Sequence, residues 1–289
     1  MRLTEMKTYV LYNTKSNNGA GQTEAEQLKT LWKDKTLAFV DVLQLSGYSD
    51  FMKNLAPEDE VCLCGGDGTL NRFINDTNGI DIPNKIFYYP TGSGNDFWND
   101  LGKKKGDAPE QINKYLTELP TVTVNGKTSL FINGIGYGID GYCCEEGDRL
   151  REKSDKPINY TSIAIKGLLF HYKPTNAEVE VDGKKYAFKK AWLAPTMKGR
   201  FYGGGMMATP DQNRLDKEKN VTVMVMNGMG KLRTLIAFPS IFKGEHVKIT
   251  DHVHIIKGKN VRVKFDRPVA LQIDGETVLN VTEYSVKVD

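Results

Sequence analysis

The stretch Cys64-Gly65-Gly66-Asp67-Gly68-Thr69-Leu70-Asn71 sets three glycines, a carboxylate and a hydroxyl between an apolar run and a segment whose apolar positions include Leu70, Phe73 and Ile74. Glycines at such a point permit φ > 0 and close backbone approach, so successive N–H groups can converge on phosphate oxygens at a helix N-terminus. The spacing matches neither a Walker loop, which needs a following Lys-Ser/Thr, nor the GxGxxG of dinucleotide sites. A tight strand-to-helix turn capped by Thr69 is the plainer alternative. A second glycine-rich polar turn, Tyr89-Pro90-Thr91-Gly92-Ser93-Gly94-Asn95-Asp96-Phe97, again follows an apolar run and precedes a helical pattern. A third polar loop, Asn13-Thr14-Lys15-Ser16-Asn17, follows the first apolar run. In a parallel sheet all three emerge at the carboxyl edge, where ligands bind. Three convergent polar loops suit a triphosphate better than they suit plain turns.

Such loops need strands to carry them. Up to about Thr121, short apolar runs alternate with helical patterns, which reads as βα units on a largely parallel sheet. Tyr9–Tyr12, Phe39–Leu43, Glu60–Cys64 and Lys85–Tyr89 are the expected strands, and Leu28, Leu31 and Trp32 mark an amphipathic helix after the first loop. From about Val122 the pattern turns to hairpins, with Asn125-Gly126 and Asp182-Gly183 as turn dipeptides between β-branched and aromatic runs. Val221–Met226, Val261–Phe265 and Tyr284–Val288 alternate as half-buried antiparallel strands do. A helical interruption over Leu232–Phe242 should bend or end at Pro239. The expected architecture is an α/β nucleotide-binding domain over residues 1–121 with a mostly parallel sheet, followed by a β-rich, sandwich-like domain over residues 122–289. A cleft between the two is the expected site.

Length and charge restrict the partners. With 289 residues the chain accommodates two ordinary domains, and its 39 basic and 36 acidic side chains leave a net charge of +3, so no overall field argues for nucleic acid. The N-terminal residues lack the apolar core of a signal peptide, and no apolar run approaches the roughly 20 residues of a spanning helix. A cytosolic protein without a transmembrane segment is expected. The cysteines fall in two local pairs, Cys62/Cys64 and Cys143/Cys144. Without a His at ligand spacing, the first pair reads as small apolar residues of a buried strand.

The combination Gly65-Gly66-Asp67-Gly68-Thr69-Leu70-Asn71 with Pro90-x-Gly92-x-x-Asn95-Asp96-Phe97 resembles the diacylglycerol kinase catalytic family of bacterial lipid kinases, which also includes sphingosine and ceramide kinases. The resemblance extends to Phe131-Ile132-Asn133-Gly134-Ile135-Gly136-Tyr137-Gly138-Ile139-Asp140, and to Gln272-Ile273-Asp274-Gly275-Glu276, which is similar to the family's D-G-E motif. It implies an enzyme that takes Mg-ATP as donor and a lipid hydroxyl as acceptor, most simply diacylglycerol giving phosphatidic acid, at the inner face of a membrane that the protein visits transiently. The implied nucleotide contacts are Asn13, Thr14, Lys15, Ser16 and Asn17, then Gly65, Gly66, Asp67, Gly68, Thr69, Leu70 and Asn71, then Gly92, Ser93, Asn95 and Asp96. The implied general base is either Asp67 or Glu276. Without the resemblance, Asp67 reads as an acid stabilising its own turn and Glu276 as part of a hairpin.

Two departures from the family pattern carry expectations. The first loop, Asn13-Thr14-Lys15-Ser16-Asn17, stands where the family usually has N-P-x-S-G, so phosphate must be held without that proline and glycine. Leu215-Asp216-Lys217-Glu218 stands where the family commonly has L-D-D-G, so the metal ligands stay unassigned and an ammonium at Lys217 is positioned to pair with Asp216. Arg200-Phe201-Tyr202-Gly203-Gly204-Gly205-Met206-Met207 reads either as a lip over a lipid or as a loop whose Met residues plug the core. Lys103-Lys104-Lys105 is either a contact for anionic headgroups or a solvated loop. Two other functions stay open, an NAD kinase, whose family shares the G-G-D-G turn, and a catalytically silent lipid- or nucleotide-binding protein. A homodimer stays open as the assembly.

Overall fold

The computed structural model describes residues 6–16, 19–92, 94–153 and 158–288, and the chain divides into two compact units, Met1–Thr117 and Glu118–Asp289. In the first unit, strands β1 (Thr8–Tyr12), β2 (Leu37–Asp41), β3 (Glu60–Gly65), β4 (Lys85–Pro90) and β5 (Glu110–Gln111) form a sheet in the order β2-β1-β3-β4-β5. The first four are mutually parallel and β5 pairs antiparallel with β4. Helices α1 (Gly21–Ala25), α2 (Leu28–Leu31), α3 (Tyr48–Lys53), α4 (Asp67–Asp76) and α5 (Asp96–Asp100) lie in the connections. Every residue of β3 is buried, as expected for a central parallel strand covered on both faces. Cys62 and Cys64 share one of those faces, 4.0 Å apart between sulfurs, and burial pushes the Cys62 thiol well above its ordinary range. They are packing residues.

Two elements of this unit differ from expectation for local reasons. The strand expected over Phe39–Leu43 stops at Asp41, whose carboxylate accepts the N–H of Leu43 at 3.1 Å and opens a 3₁₀ turn over Val42–Gln44. The single helix expected around Leu28, Leu31 and Trp32 is the broken pair α1 and α2, with Trp32 at the end of the second.

In the second unit the strands are β6 (Thr121–Val124), β7 (Lys127–Leu130), β8 (Gly134–Tyr137), β9 (Thr175–Val181), β10 (Lys184–Leu193), β11 (Thr196–Met197), β12 (Phe201–Tyr202), β13 (Met206–Met207), β14 (Val221–Asn227), β15 (Val253–Gly258), β16 (Asn260–Ile273) and β17 (Glu276–Lys287). The long β16 pairs with β9 through Val261–Phe265 and with β8 through Leu271–Ile273, so this strand closes β8, β11, β14, β10 and β9 of the one ten-stranded sheet into a ring. Asn125-Gly126 and Asp182-Gly183 form their hairpins with positive φ at all four residues, as the tight primed turns require. β14 is buried along six consecutive residues rather than half-buried, because β10, β11 and β15 flank it within the sheet and both of its faces are covered. Helices α6 (Ile139–Arg151), α7 (Tyr160–Lys166) and α8 (Lys231–Ala237) complete the unit, and α8 gives way to a 3₁₀ turn, Phe238–Lys243, at Pro239.

Asp274 anchors this unit. Its buried carboxylate accepts the N–H groups of Ile132, Asn133 and Gly134 at 2.7, 2.8 and 3.0 Å. Arg214 grips the other side of the same loop, donating to the Ile132 carbonyl and to Asn133 Oδ1. Asp274→Ala strands three buried donors, each costing roughly 1–3 kcal/mol when unsatisfied. The expected result is a loss of at least about 3 kcal/mol in urea unfolding. A midpoint unchanged from wild type would show that another group takes over these donors.

Candidate active site

The site grows from the parallel pairing of β3 and β4, whose register ends with Gly65 opposite Pro90. Both chains then turn at the same point. The Gly65 carbonyl accepts the N–H of Thr91 at 3.0 Å and the hydroxyl of Tyr88 at 2.9 Å. A Cβ on Gly65 would lie 2.1 Å from Thr69 Oγ1, and one on Gly92 would lie 2.5 Å from the Cα of Gly66. Gly66 itself has φ −99°, so close approach, and not left-handed backbone, is what demands glycine here.

Asp67 joins the two turns. As the first residue of α4 it reaches across to the start of α5, where its two oxygens accept the N–H groups of Asp96 and Phe97, both at 2.9 Å. Asn95, just before, adopts the left-handed conformation with φ 52° and donates from Nδ2 to the Gly92 carbonyl at 2.7 Å. Asn95 Oδ1 and Thr91 Oγ1 are buried on either side of Gly92 and have no hydrogen-bond partner among the described residues. Such atoms are rare in folded proteins and point to a ligand or water held there. Thr69 N–H and Leu70 N–H both turn back to the Gly66 carbonyl, and the first N–H groups of α4 face the turn, as at every helix start. Asn71 faces one turn further along α4, where it accepts from Asn75 Nδ2 at both O and Oδ1.

The first loop lies at the end of β1, beside β3, and is closed by its own bonds. Asn13 Oδ1 accepts the N–H of Lys15 at 2.9 Å, and the Asn13 carbonyl accepts both the N–H and the hydroxyl of Ser16. Thr14 donates its hydroxyl to Asp41 Oδ2 at 2.8 Å, which ties the loop to the end of β2 without a proline. Gly21 closes against it so tightly that a Cβ there would sit 2.0 Å from the Asn13 carbonyl oxygen. Lys15 stays exposed. Asn17 and Ser93 lie outside the described residues.

In the second unit, Asp274 and Gly275 form the two-residue turn between β16 and β17, with φ of 48° and 98°, and Glu276 opens β17 as an exposed side chain. The aspartate of D-G-E is therefore a loop anchor, while Glu276 is open to solvent. Asp216 caps its own turn, accepting from the N–H of Glu218 and from Asn220 Nδ2, each at 3.2 Å. Lys217 is exposed and makes no ion pair with Asp216 among the described residues, contrary to the pairing expected from the sequence. No group of three or more His, Cys, Asp or Glu side chains converges among the described residues. Tyr202 and Met206 of the glycine-rich hairpin belong to the hydrophobic core, so that segment plugs the fold rather than forming a free lip.

One titratable group of this unit has no role assigned from sequence. Asp140, in the first turn of α6, is 5% exposed. Burial raises its pKa to about 6 against the opposing bond from the Gly141 N–H. Tyr202 lies close enough to the carboxylate to favour its charge, yet neither Oδ2 nor the tyrosine hydroxyl has a hydrogen-bond partner of good geometry among the described residues. A buried carboxylate with an open oxygen is a candidate functional group. Only its place at the end of an apolar, glycine-rich motif signals it in the sequence.

Comparison with known proteins follows the two units. Residues 7–124 match the model of the diacylglycerol kinase catalytic domain, and residues 133–287 match the YegS C-terminal NAD kinase beta sandwich-like domain. A diacylglycerol kinase from Mycobacterium tuberculosis is 28% identical over 214 residues, covering 71% of this chain and 67% of that protein. The crystal structure of a diacylglycerol kinase from Bacillus anthracis superposes with a TM-score of 0.66 at 20% identity, over 98% of this chain and 94% of that one, and so shares the fold.

Two outcomes test this geometry. Asp67→Asn replaces one acceptor with an NH₂ that faces a backbone N–H. Amide exchange at Asp96 and Phe97 should then accelerate by about tenfold or more, the equivalent of one lost hydrogen bond. Unchanged protection at both amides would remove Asp67 from its bridging role. The second outcome concerns Asp140. An unfolded aspartate ionises near pH 3.9 and the folded Asp140 near 6, so between these values the folded state binds more protons and stability falls as pH rises. Relative to Asp140→Asn, wild type should lose about 2 kcal/mol between pH 4.5 and 7.5 in urea unfolding. Parallel pH profiles for the two proteins would contradict the raised pKa.

Proposed function

The chain belongs to the family that joins a diacylglycerol kinase catalytic domain to a YegS C-terminal NAD kinase beta sandwich-like domain, and we propose that this lipid kinase phosphotransferase moves the γ-phosphoryl group of ATP to the hydroxyl of diacylglycerol. The observation that carries the proposal is the meeting of Gly66 and Gly92 with no side chain between them, flanked by Thr91 Oγ1 and Asn95 Oδ1, which have no partner among the described residues. A cradle that a single Cβ would fill suits phosphate oxygens approaching backbone donors. ATP would supply the transferable group there, with Mg²⁺ carried mainly on its phosphates, since magnesium commonly uses few protein ligands.

Phosphoryl transfer asks the protein chiefly for positioning and charge neutralisation. The α4 N-terminus and the loop from Asn13 to Ser16 serve the first purpose and Lys15 the second. Asp67 keeps the two glycine turns in register through its bonds to the start of α5, and its carboxylate lies in the turn where the phosphates and their cation would sit. Glu276 is the proposed acceptor of the lipid hydroxyl's proton, at an Oε atom. Asp140 is a second candidate for that proton, favoured by its raised pKa and open Oδ2. Because the acceptor resides in a bilayer, the protein would act from the cytoplasm at the inner face of the membrane. No helix among the described residues is long and apolar enough to cross it.

The test pairs product identity with two substitutions. With labelled ATP and diacylglycerol in mixed micelles, label should enter the organic phase, and NAD should stay unphosphorylated. Label in NADP would overturn the proposal, and no label in either would favour a catalytically silent binding protein. Glu276→Gln should lower kcat roughly 10²-fold or more with nucleotide affinity intact by calorimetry. A Glu276→Gln enzyme of near-normal turnover beside an inactive, well-folded Asp140→Asn would move the base to Asp140.

A further inference from the structure

An apolar face of the second unit stands open to solvent. After α7 the chain runs directly into a single π turn, Gly167–His171, closed by the Tyr172 N–H to the Gly167 carbonyl at 2.8 Å. That turn sends Leu168 and Tyr172 into the core and leaves Phe170 72% exposed. The start of α8 packs beside it, where Lys231 Nζ donates to the Leu169 carbonyl at 2.7 Å. On α8 the buried residues are Thr234 and Ala237, so Leu232 and Ile236, one turn apart, point away from the core and are 68% and 72% exposed. Phe242, on the 3₁₀ turn that continues α8, is exposed as well. Large apolar side chains exposed to this degree on adjoining elements mark an interaction surface.

Charge identifies what the surface meets. Residues 158–173 and 227–244 contain no Asp or Glu, whereas the chain's 36 acids among 289 residues would place about four there. The same segments carry Lys166, Lys173, Lys231, Arg233 and Lys243, all exposed. Lys166, Arg233 and Lys243 make no ion pair among the described residues. By contrast Lys103 faces Glu110 at 2.8 Å and Lys105 faces Glu24 at 3.0 Å, which neutralises most of the lysine run that the sequence offered as a headgroup contact. We propose that Phe170, Leu232 and Ile236, with their basic surround, form a docking surface that inserts into an anionic lipid bilayer.

Amphipathic elements with apolar side chains over a Lys/Arg fringe bind this kind of interface, with affinity set jointly by inserted apolar area and by attraction to anionic lipid. A second copy of the chain fits less well, because self-pairing of this face would set its unpaired cations against one another. The docking surface names the physical partner of the proposed lipid kinase and rests on that function only in that a lipid acceptor lies in a bilayer.

The test is co-flotation of the full chain with vesicles of phosphatidylcholine alone or mixed with phosphatidylglycerol. Wild type should bind the mixed vesicles far better than the neutral ones, and added salt should weaken that preference. The triple substitution Phe170→Ser, Leu232→Ser, Ile236→Ser should lower binding to mixed vesicles by about tenfold or more. Lys166→Gln, Arg233→Gln and Lys243→Gln together should abolish most of the preference for anionic lipid. All variants should retain wild-type turnover on a short-chain acceptor presented as monomers. An apolar triple variant that floats like wild type overturns the docking surface. So does a wild-type protein that ignores vesicles but sediments as a dimer, which the same variant dissociates. Docking without any lipid phosphorylation would sustain the surface and defeat the kinase proposal, while phosphorylation of micellar lipid by a protein that ignores vesicles would do the reverse.

Discussion

The approach of two bare backbones at Gly66 and Gly92 shapes everything at the carboxyl edge of the first sheet. It follows from register, since parallel β3 and β4 end together with Gly65 opposite Pro90 and must turn at the same level. Tyr88 holds that level. Its buried hydroxyl donates to the Gly65 carbonyl, and its ring meets Phe97 and Trp98 of α5 edge-on at centroid distances of 5.7 and 6.0 Å. Burial pushes the Tyr88 hydroxyl well above its ordinary pKa, with the nearby Asp67 charge acting in the same direction, so it stays a donor at any physiological pH. One side chain thus fixes the end of β3, the turn after β4 and the helix that follows.

Aspartates do much of the remaining work, and they do it on backbone N–H groups. Asp41 opens a 3₁₀ turn, Asp67 caps the start of α5, Asp182 holds the N–H groups of Lys259 and Asn260, and Asp274 gathers three more. A carboxylate is the natural choice, because charged acceptors make shorter and stronger bonds to N–H than neutral ones do. This is why acids in glycine-rich motifs are hard to interpret from sequence. The same Asp that fits a catalytic motif is also what a tight turn needs, and the partners that decide between the two lie 29 or 30 residues away for Asp67 and 140 to 142 away for Asp274.

Local features were legible where the physics is local. Asn125-Gly126, Asp182-Gly183 and Asp274-Gly275 declare their hairpins because few other dipeptides accept positive φ at both positions. Pro239 declares the change from α8 to 3₁₀ because it removes a donor. The break between α1 and α2, the early end of β2 and the full burial of β14 stayed hidden. Each depends on a neighbour remote in sequence or on a side-chain cap that periodicity does not contain. The π turn that exposes Phe170 is of the same kind, since an extra residue in a helical turn leaves the apolar pattern looking like core.

The two carboxylates offered as proton acceptors divide the requirements of a base between them. Asp140 has the basicity, because desolvation makes its charged form costly, and the same burial removes it from solvent. Glu276 has the access, standing exposed at the head of β17, where water solvates its charge. The proposed lipid acceptor would have to enter buried surroundings to reach Asp140, whereas at Glu276 its own apolar chain would displace water from the carboxylate. In that second case the acceptor would create the desolvation that the fold has already built around Asp140. In the proposed reaction, the choice between the two would therefore rest on where low polarity comes from, the protein interior or the acceptor itself.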